Sequence, residues 1–343
     1  MPQAETSQVQ PPQRTFVGRE REMAELCAGL EVPASDRRRV FLISGEPGIG
    51  KTRLAEEFAS YAASRGTRVV WGRCWEGGGV PAYWPWIQVL RTLLADSNLK
   101  LPKISASAEL AQLMPELRVA SENPNAAATS ARFDPEQARF RLFDSVTSLV
   151  KDAARLHPLM LVLDDLHDAD QPSLLMLQFV ARELGGSRVI LVGAYREIEL
   201  RRSPALSKLL GEILRDGHQL PLAGLSREEV ARMIECYSGE APASGLVSEL
   251  HRATLGNPLF VDGVVRMLSA EGRLHEGLDL AHLKLPDGAR EAIRRRLGLL
   301  SVEACSTLTV AAFVGQEFDA HVLERVAELA AERLSDIVQE GLD

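Results

Sequence analysis

Along the first two thirds of the chain, short apolar runs alternate with stretches in which apolar residues recur every three to four positions. The runs are Val40-Phe41-Leu42-Ile43, residues 68–74, Leu159-Met160-Leu161-Val162-Leu163, residues 189–194 and residues 219–222. Near-continuous apolar runs of this length predict strands covered on both faces, as in a parallel sheet. Between them the period is helical. Met23, Leu26 and Leu30 share a face before the first run, and Leu54, Ala55, Phe58 and Ala62 share one over residues 52–64. Asp134-Pro135-Glu136-Gln137 has the form of a helix start, continued by Leu142, Val146, Leu149, Val150 and Ala153. Asp170 reads as the N-cap of a helix stopped by Gly185, and Ser203-Pro204 opens another with Leu206, Leu209, Leu210, Ile213 and Leu214. Strand and helix in alternation predict an α/β unit with a parallel sheet.

From about residue 223 only the helical period continues. Ser226-Arg227-Glu228-Glu229 is a capping box before Val230, Met233 and Ile234, and Asn257-Pro258 opens a helix with Phe260, Val261, Val264, Val265 and Leu268. Pro286-Asp287 opens the next, and helices are expected at 302–312, 320–330 and 333–339. Residues 121–131 are polar and rich in Ala and Asn, and read as a loop.

Composition narrows the function class. Of 343 residues, 45% are apolar and 25% charged, an ordinary globular mix, and the net charge of −8 argues against a chain built to coat nucleic acid. No apolar run approaches the ~20 residues of a membrane span. The polar, Gln- and Pro-rich start reads as a disordered tail over 1–13, neither signal nor anchor. Cys27, Cys74, Cys236 and Cys305 are far apart, which fits neither a zinc site nor a disulfide framework. They read as buried single thiols of a cytoplasmic protein.

The chemistry begins after the first strand. Gly45-Glu46-Pro47-Gly48-Ile49-Gly50-Lys51-Thr52 meets G-x-x-x-x-G-K-[ST] at every fixed position. Glycines let the chain wrap with its N–H groups inward, and the helix that follows adds the positive end of its dipole, so the loop reads as a phosphate cradle. Lys51 can reach the β- and γ-phosphates, and the Thr52 hydroxyl can ligate Mg²⁺. The third strand ends in Asp164-Asp165, where the first acid can hold Mg²⁺ and the second can orient or deprotonate a water. Arg196 at the end of the fourth strand projects into the ligand crevice and can sense the γ-phosphate. His167 reads as a structural, hydrogen-bonding histidine, with a catalytic role as the alternative. Three tryptophans in residues 75–86 read as loop packing, with a stacking platform as the alternative. Arg290, Arg294, Arg295 and Arg296 read as a solvated or interdomain face rather than a DNA contact.

Together these motifs resemble the STAND class of AAA+ ATPases, and more narrowly the Orc1-like AAA domain of LuxR- and MalT-type bacterial transcriptional regulators and of adenylate cyclase-associated regulators. The resemblance rests on residues 16–20 as the hh-G-R-E motif, Gly45 to Thr52 as Walker A, Asp164-Asp165-Leu166-His167 as Walker B, Tyr195-Arg196 as sensor 1 and Gly256-Asn257-Pro258 as the lid motif. Trp71-Gly72-Arg73-Cys74 and Tyr83-Trp84-Pro85-Trp86 belong to the same pattern. Asp168 stands where a tryptophan is common, and Ala194 where a threonine is frequent.

The resemblance implies a P-loop NTPase of α/β class with five parallel strands ordered 5-1-4-3-2 over residues 14–222, a helical lid over 223–283 and a truncated winged-helix-like segment over 284–343. It implies a slow regulatory ATPase with ATP or ADP and Mg²⁺ between α/β domain and lid. Asp165, Lys51 and Arg196 would be catalytic, and Thr52 and Asp164 would hold the metal. Val17, Gly18, Arg19, Glu46, Pro47, Gly48, Ile49, Gly50, Lys51, Thr52, Arg53 and Pro258 would bind nucleotide. Further expectations are repeat or output domains beyond this chain, partner proteins, a nucleotide-dependent oligomer with no assignable arginine finger, no membrane, and DNA reached only indirectly or weakly. Two rivals stand beside this reading. An origin-recognition or loader-type DNA-binding ATPase is favoured by the arginine helix and disfavoured by the acidic balance, and a small-molecule phosphotransferase lacks an acceptor motif.

Overall fold

The computed structural model describes residues 16–31, 39–75, 79–95, 110–114, 134–202, 204–215, 217–270, 294, 297–298, 300–314 and 319–342. The expectations for 1–13, 121–131, Pro286-Asp287, Arg290, Arg295 and Arg296 lie outside them. The chain divides into two compact units, Glu20–Ala223 with Ile293–Asp343, and Met1–Arg19 with Gly224–Ala292. Residues 16–19, expected at the head of the α/β segment, therefore belong with the second unit.

The first unit is built on a parallel sheet. Its strands are β1 (Val40–Ser44), β2 (Arg68–Arg73), β3 (Leu159–Asp164), β4 (Val189–Tyr195) and β5 (His218–Pro221), in the spatial order β2-β3-β4-β1-β5. Read from the other edge this is 5-1-4-3-2. The register pairs Ser44 with Tyr195, Leu163 with Gly193 and Arg73 with Asp164, so the carboxyl ends of the central strands lie side by side. Residues of β1, β3 and β4 are buried throughout, which explains why those runs lack alternation.

Helices cover the sheet. α1 (Glu20–Glu31) lies against α2 (Lys51–Ser64), and α2 buries the predicted face of Leu54, Ala55, Phe58 and Ala62. α3 (Trp84–Ala95) packs on β2 so closely that a Cβ on Gly72 would stand 2.4 Å from the Pro85 carbonyl oxygen. The Gln88 amide donates to the Arg73 carbonyl at 2.8 Å, capping polar groups of this sheet-edge strand.

After the short α4 (Leu110–Leu113), α5 (Pro135–Leu156) buries Leu142, Val146, Leu149, Val150 and Ala153 as predicted. Asp134 precedes it, but its side chain makes no capping hydrogen bond; the start carries Pro135 at the first position and Glu136 in the first turn. α6 (Gln171–Glu183) is capped by Asp170, whose carboxylate accepts from Ser173 N at 2.9 Å and Oγ at 2.6 Å. The helix ends ahead of Gly185, and it is Gly186 that takes positive φ. α7 (Glu197–Arg202) and α8 (Pro204–Leu214) complete the layer, α7 unannounced by the sequence.

The tryptophan segment is largely packing. Trp86 is fully buried and its Nε1 donates to the Ser173 carbonyl at 3.0 Å, while Tyr83 N donates to Asp170 at 3.2 Å. Both bonds fasten the start of α3 to the first turn of α6. Trp84 is half-buried beneath Arg91, and Trp75 is exposed.

The second unit contains α9 (Arg227–Ser238), α10 (Ser244–Thr254) and α11 (Pro258–Ala270), which bury Val230, Ile234, Leu246, Leu250, Val261 and Val265 together. The capping box is complete, Ser226 Oγ accepting from Glu229 N at 3.2 Å and Glu229 accepting from Ser226 N at 2.7 Å. α10 follows Ala243, which has no side-chain acceptor, and so it gave no start signal. In the first unit α12 (Val302–Val314), α13 (Ala320–Val326) and α14 (Ala331–Leu342) contact one another and bury Ala304, Leu323, Leu334 and Ile337.

Candidate functional site

β1 delivers the glycine loop and α2 starts directly from it. Gly45, Gly48 and Gly50 all have positive φ. At Gly45 the requirement is double: φ is +149° and a Cβ would stand 2.9 Å from the Leu222 carbonyl oxygen. The loop base is held by Leu222 N donating to Ser44 O at 2.8 Å, and Ile49 N donates back to Glu46 O at 3.3 Å. Ile49 anchors the loop by burial, while Glu46 stays exposed.

Lys51 is 7% exposed, and its ammonium donates to the carbonyls of Gly45 at 3.0 Å and Glu46 at 2.9 Å. Burial and the neighbouring Arg196 lower its pKa to about 8, against the pull of Asp165, Asp164 and Glu46. The cation thus sits inside the loop it was predicted to serve. Arg53 pairs with Glu56 and Glu57 on its own helix.

Parallel register brings the acids to the same place. Thr52 Oγ1 donates to Asp164 Oδ2 at 2.9 Å, joining residues 112 positions apart. Asp164 is 3% exposed, and its other oxygen accepts from Asp165 N at 3.0 Å, so the carboxylate is held in one orientation. Asp165, half-buried, has left-handed backbone with φ 55° and ψ 44°, which turns the chain sharply off the strand end. A threonine hydroxyl beside a fixed carboxylate is an all-oxygen donor pair, the kind that suits Mg²⁺.

Arg196, the first residue past β4, is near enough to Lys51 and His167 to disfavour positive charge on both. His167 corrects the expectation of a hydrogen-bonding histidine. Its side chain is 2% exposed, neither ring nitrogen has a hydrogen-bond partner among the described residues, and Nε2 lies 3.3 Å from Asp168 Oδ2. Burial, reinforced by Arg196 and Lys51, drives its pKa down to about 3, so the ring is neutral near pH 7. Only Cys74 is buried, not all four cysteines. Burial and the nearby carboxylates of Asp165, Asp168, Asp170 and Asp164 push its thiol up, which keeps it unreactive.

The other expected nucleotide-side residues meet in the second unit. Val17 packs on the core of α9, α10 and α11, and a Cβ on Gly18 would stand 2.7 Å from a Glu229 carboxylate oxygen. Gly18 and Arg19 both have positive φ, and Arg19 is buried. Leu225 N donates to Gly256 O at 2.7 Å, and Asn257 Oδ1 accepts from Leu259 N at 3.1 Å, so the residues around Pro258 form the start of α11. What sequence reasoning missed are polar groups whose partners are remote: Ser44 and Gln219 beside Tyr195, and the Tyr83 N–H on Asp170. The one available signal was a serine ending an otherwise apolar buried strand.

Among solved structures, the ORC2 protein of Aeropyrum pernix, in ADPNP–ADP complexes, is similar over 95% of this chain and 87% of that one, at 15% identity and TM-score 0.54. That likeness shows the fold. A STAND protein with a tetratricopeptide repeat sensor from Pyrococcus horikoshii matches 96% of this chain at 14% identity and TM-score 0.46, and this chain spans 40% of its length. Cdc6p of Pyrobaculum aerophilum matches at 12% identity and TM-score 0.47 over 96% of this chain and 86% of that one. No curated protein matches at a comparable level. The profile of the AAA ATPase domain matches residues 15–192, a span that includes the phosphate loop and both acids and exceeds half of the 343 residues, and the chain belongs to that family.

Proposed function

We propose that this AAA ATPase domain is a nucleotide switch that binds ATP with Mg²⁺, hydrolyses it slowly, and serves a transcriptional or signal-transduction regulator of the bacterial kind. The observation that carries the reading is the Thr52–Asp164 hydrogen bond at the mouth of a loop already holding the Lys51 ammonium. A phosphate oxygen offered to Lys51 competes with two neutral carbonyls and gains a charge-assisted bond in their place. Thr52 and Asp164 would hold Mg²⁺, which when bound neutralises charge on the β- and γ-phosphate oxygens. Asp165 orients the attacking water and takes its proton as the bond between the γ-phosphorus and the bridging oxygen breaks, giving ADP and phosphate. Lys51 and Arg196 offset the charge that develops. Glu46, Pro47, Gly48, Ile49 and Gly50 supply the loop's backbone, Arg53 follows Thr52 in the first turn of the helix, and Val17, Gly18, Arg19 and Pro258 are assigned to the base side. Hydrolysis would change the packing of the segment over 223–283 assigned as the lid, an order change set by the γ-phosphate. Repeat or output domains and a nucleotide-dependent oligomer belong to the same proposal.

The direct test follows phosphate release and the nucleotide retained by the purified protein. The expected result is turnover slower than about one per minute with nucleotide still bound after gel filtration, as for unaided P-loop switches. Rapid multiple turnover with no retained nucleotide contradicts a switch.

A second expectation comes from Lys51. Its pKa falls from the ordinary 10.5 to about 8 on folding. The unfolded chain therefore binds more protons between pH 8 and 10.5, and Lys51's contribution to stability rises with pH across that window. Phosphate charge reverses the shift, so nucleotide binding above pH 8 takes up a proton and ATP affinity declines with rising pH, by at most about tenfold per unit. Calorimetry at pH 9 in two buffers of different ionisation enthalpy should register uptake approaching about one proton per site. Identical heats in both buffers would show that Lys51 is not the phosphate ligand.

A further inference from the structure

Tyr195 is the last residue of β4 and immediately precedes Arg196. Its ring is wholly buried, yet its hydroxyl is fully partnered: it accepts from Gln219 Nε2 at 3.0 Å and hydrogen-bonds the Ser44 hydroxyl. Gln219 Nε2 itself lies 3.5 Å from Ser44 Oγ. Ser44 pairs in register with Tyr195 on one side and Pro221 on the other, so this polar bridge crosses β4, β1 and β5 at their carboxyl ends. Ser44 immediately precedes Gly45, and its carbonyl accepts from Leu222 N, the bond at the base of the phosphate loop. Burial pushes the phenol up, against the two hydrogen bonds, so it remains a protonated donor near pH 7. Arg196, by contrast, has no hydrogen bond or ion pair among the described residues, and its placement depends on the strand end that carries it.

We propose that Tyr195 is a positioning residue for Arg196: its hydroxyl bridge to Ser44 and Gln219 fixes the strand end bearing the arginine against the strand that delivers the phosphate loop. The inference rests on the ATP-switch reading. In parallel strands, backbone hydrogen bonds set the register but leave the strand ends free to splay once pairing stops. A side-chain bridge across three strands at that point ties the strand end bearing Arg196 to the residue that precedes the phosphate loop. Loss of a positioning contact of this kind reduces the chemical step more than substrate binding.

Tyr195→Phe keeps the buried ring and deletes only the bridge. We expect kcat for ATP hydrolysis to fall about 10- to 100-fold, with KM changed less than about threefold. The preference for a non-hydrolysable ATP analogue over ADP should shrink towards that of Arg196→Ala. In the Arg196→Ala background Tyr195→Phe should add nothing, because the group it positions is gone. Gln219→Leu, at a side chain on the exposed edge of the bridge, should reproduce the effect in weaker form. Additive losses in the double variant, or an unchanged kcat and nucleotide preference in a folded Tyr195→Phe protein, would overturn the positioning role while leaving the switch intact. A wild-type protein that binds neither nucleotide overturns both.

Discussion

Replacing Lys51 with Ala should lower ATP affinity about a thousandfold, a loss of about 4 kcal/mol. Lys51 has an ammonium ready to donate to two acceptors inside the glycine loop, both of them loop carbonyls. Charge-assisted bonds to phosphate are worth about 1.5–3 kcal/mol each, so losing the two that the ammonium can make accounts for an effect of that size. The substitution also reports cleanly on the site. Burial makes the charged lysine costly in the folded state, as its lowered pKa shows, and alanine is a good helix former for the first turn of α2. The unfolding midpoint should hold or rise while calorimetric binding of ATP disappears. Equal affinities for wild type and Lys51→Ala would sink the nucleotide reading altogether.

Asp165→Asn should separate binding from turnover. We expect ATP affinity within about threefold of wild type and hydrolysis slowed about 10²- to 10⁴-fold, the usual range for losing a general base. Asparagine is the suitable replacement because φ at this position is 55°, a left-handed conformation that Asn tolerates as Asp does and that other side chains resist. The shape of the turn off β3 is therefore retained, and with it the bond from residue 165 N–H to Asp164. One secondary effect follows from electrostatics. Asp165 helps to keep Lys51 protonated, so its neutralisation lowers the lysine's pKa further. Affinities should be compared at or below pH 7, where the ammonium persists in both proteins. Undiminished phosphate release would remove Asp165 from the mechanism.

How much of this was legible differs from element to element. The loop at Gly45 to Thr52 and the acids at 164 and 165 stand out because their spacing is local: a strand must end and a helix begin within a few residues. Burial of entire strands likewise shows as uninterrupted apolar runs. Elements without a boundary signal were lost. α10 begins after an alanine and α7 is a single short stretch following Arg196. The tryptophans and His167 were ambiguous because a side chain's role depends on what it faces. Trp86 faces a carbonyl on α6, and His167 faces buried space between acids with no hydrogen bond to either.

By itself the sequence determined an α/β chain with a phosphate loop, a strand ending in paired carboxylates, and a change to all-helical structure near residue 223. All of these are written in periodicity and short-range spacing, because each depends on one element's own backbone and one face's burial. Tertiary structure alone decided which distant residues meet. It joined Thr52 to Asp164, seated Val17 and Gly18 on the helices that follow residue 223, and closed Tyr195, Ser44 and Gln219 into one bridge. The first and last of those contacts come from strand order and register and the second from helix packing, none of which a local period records.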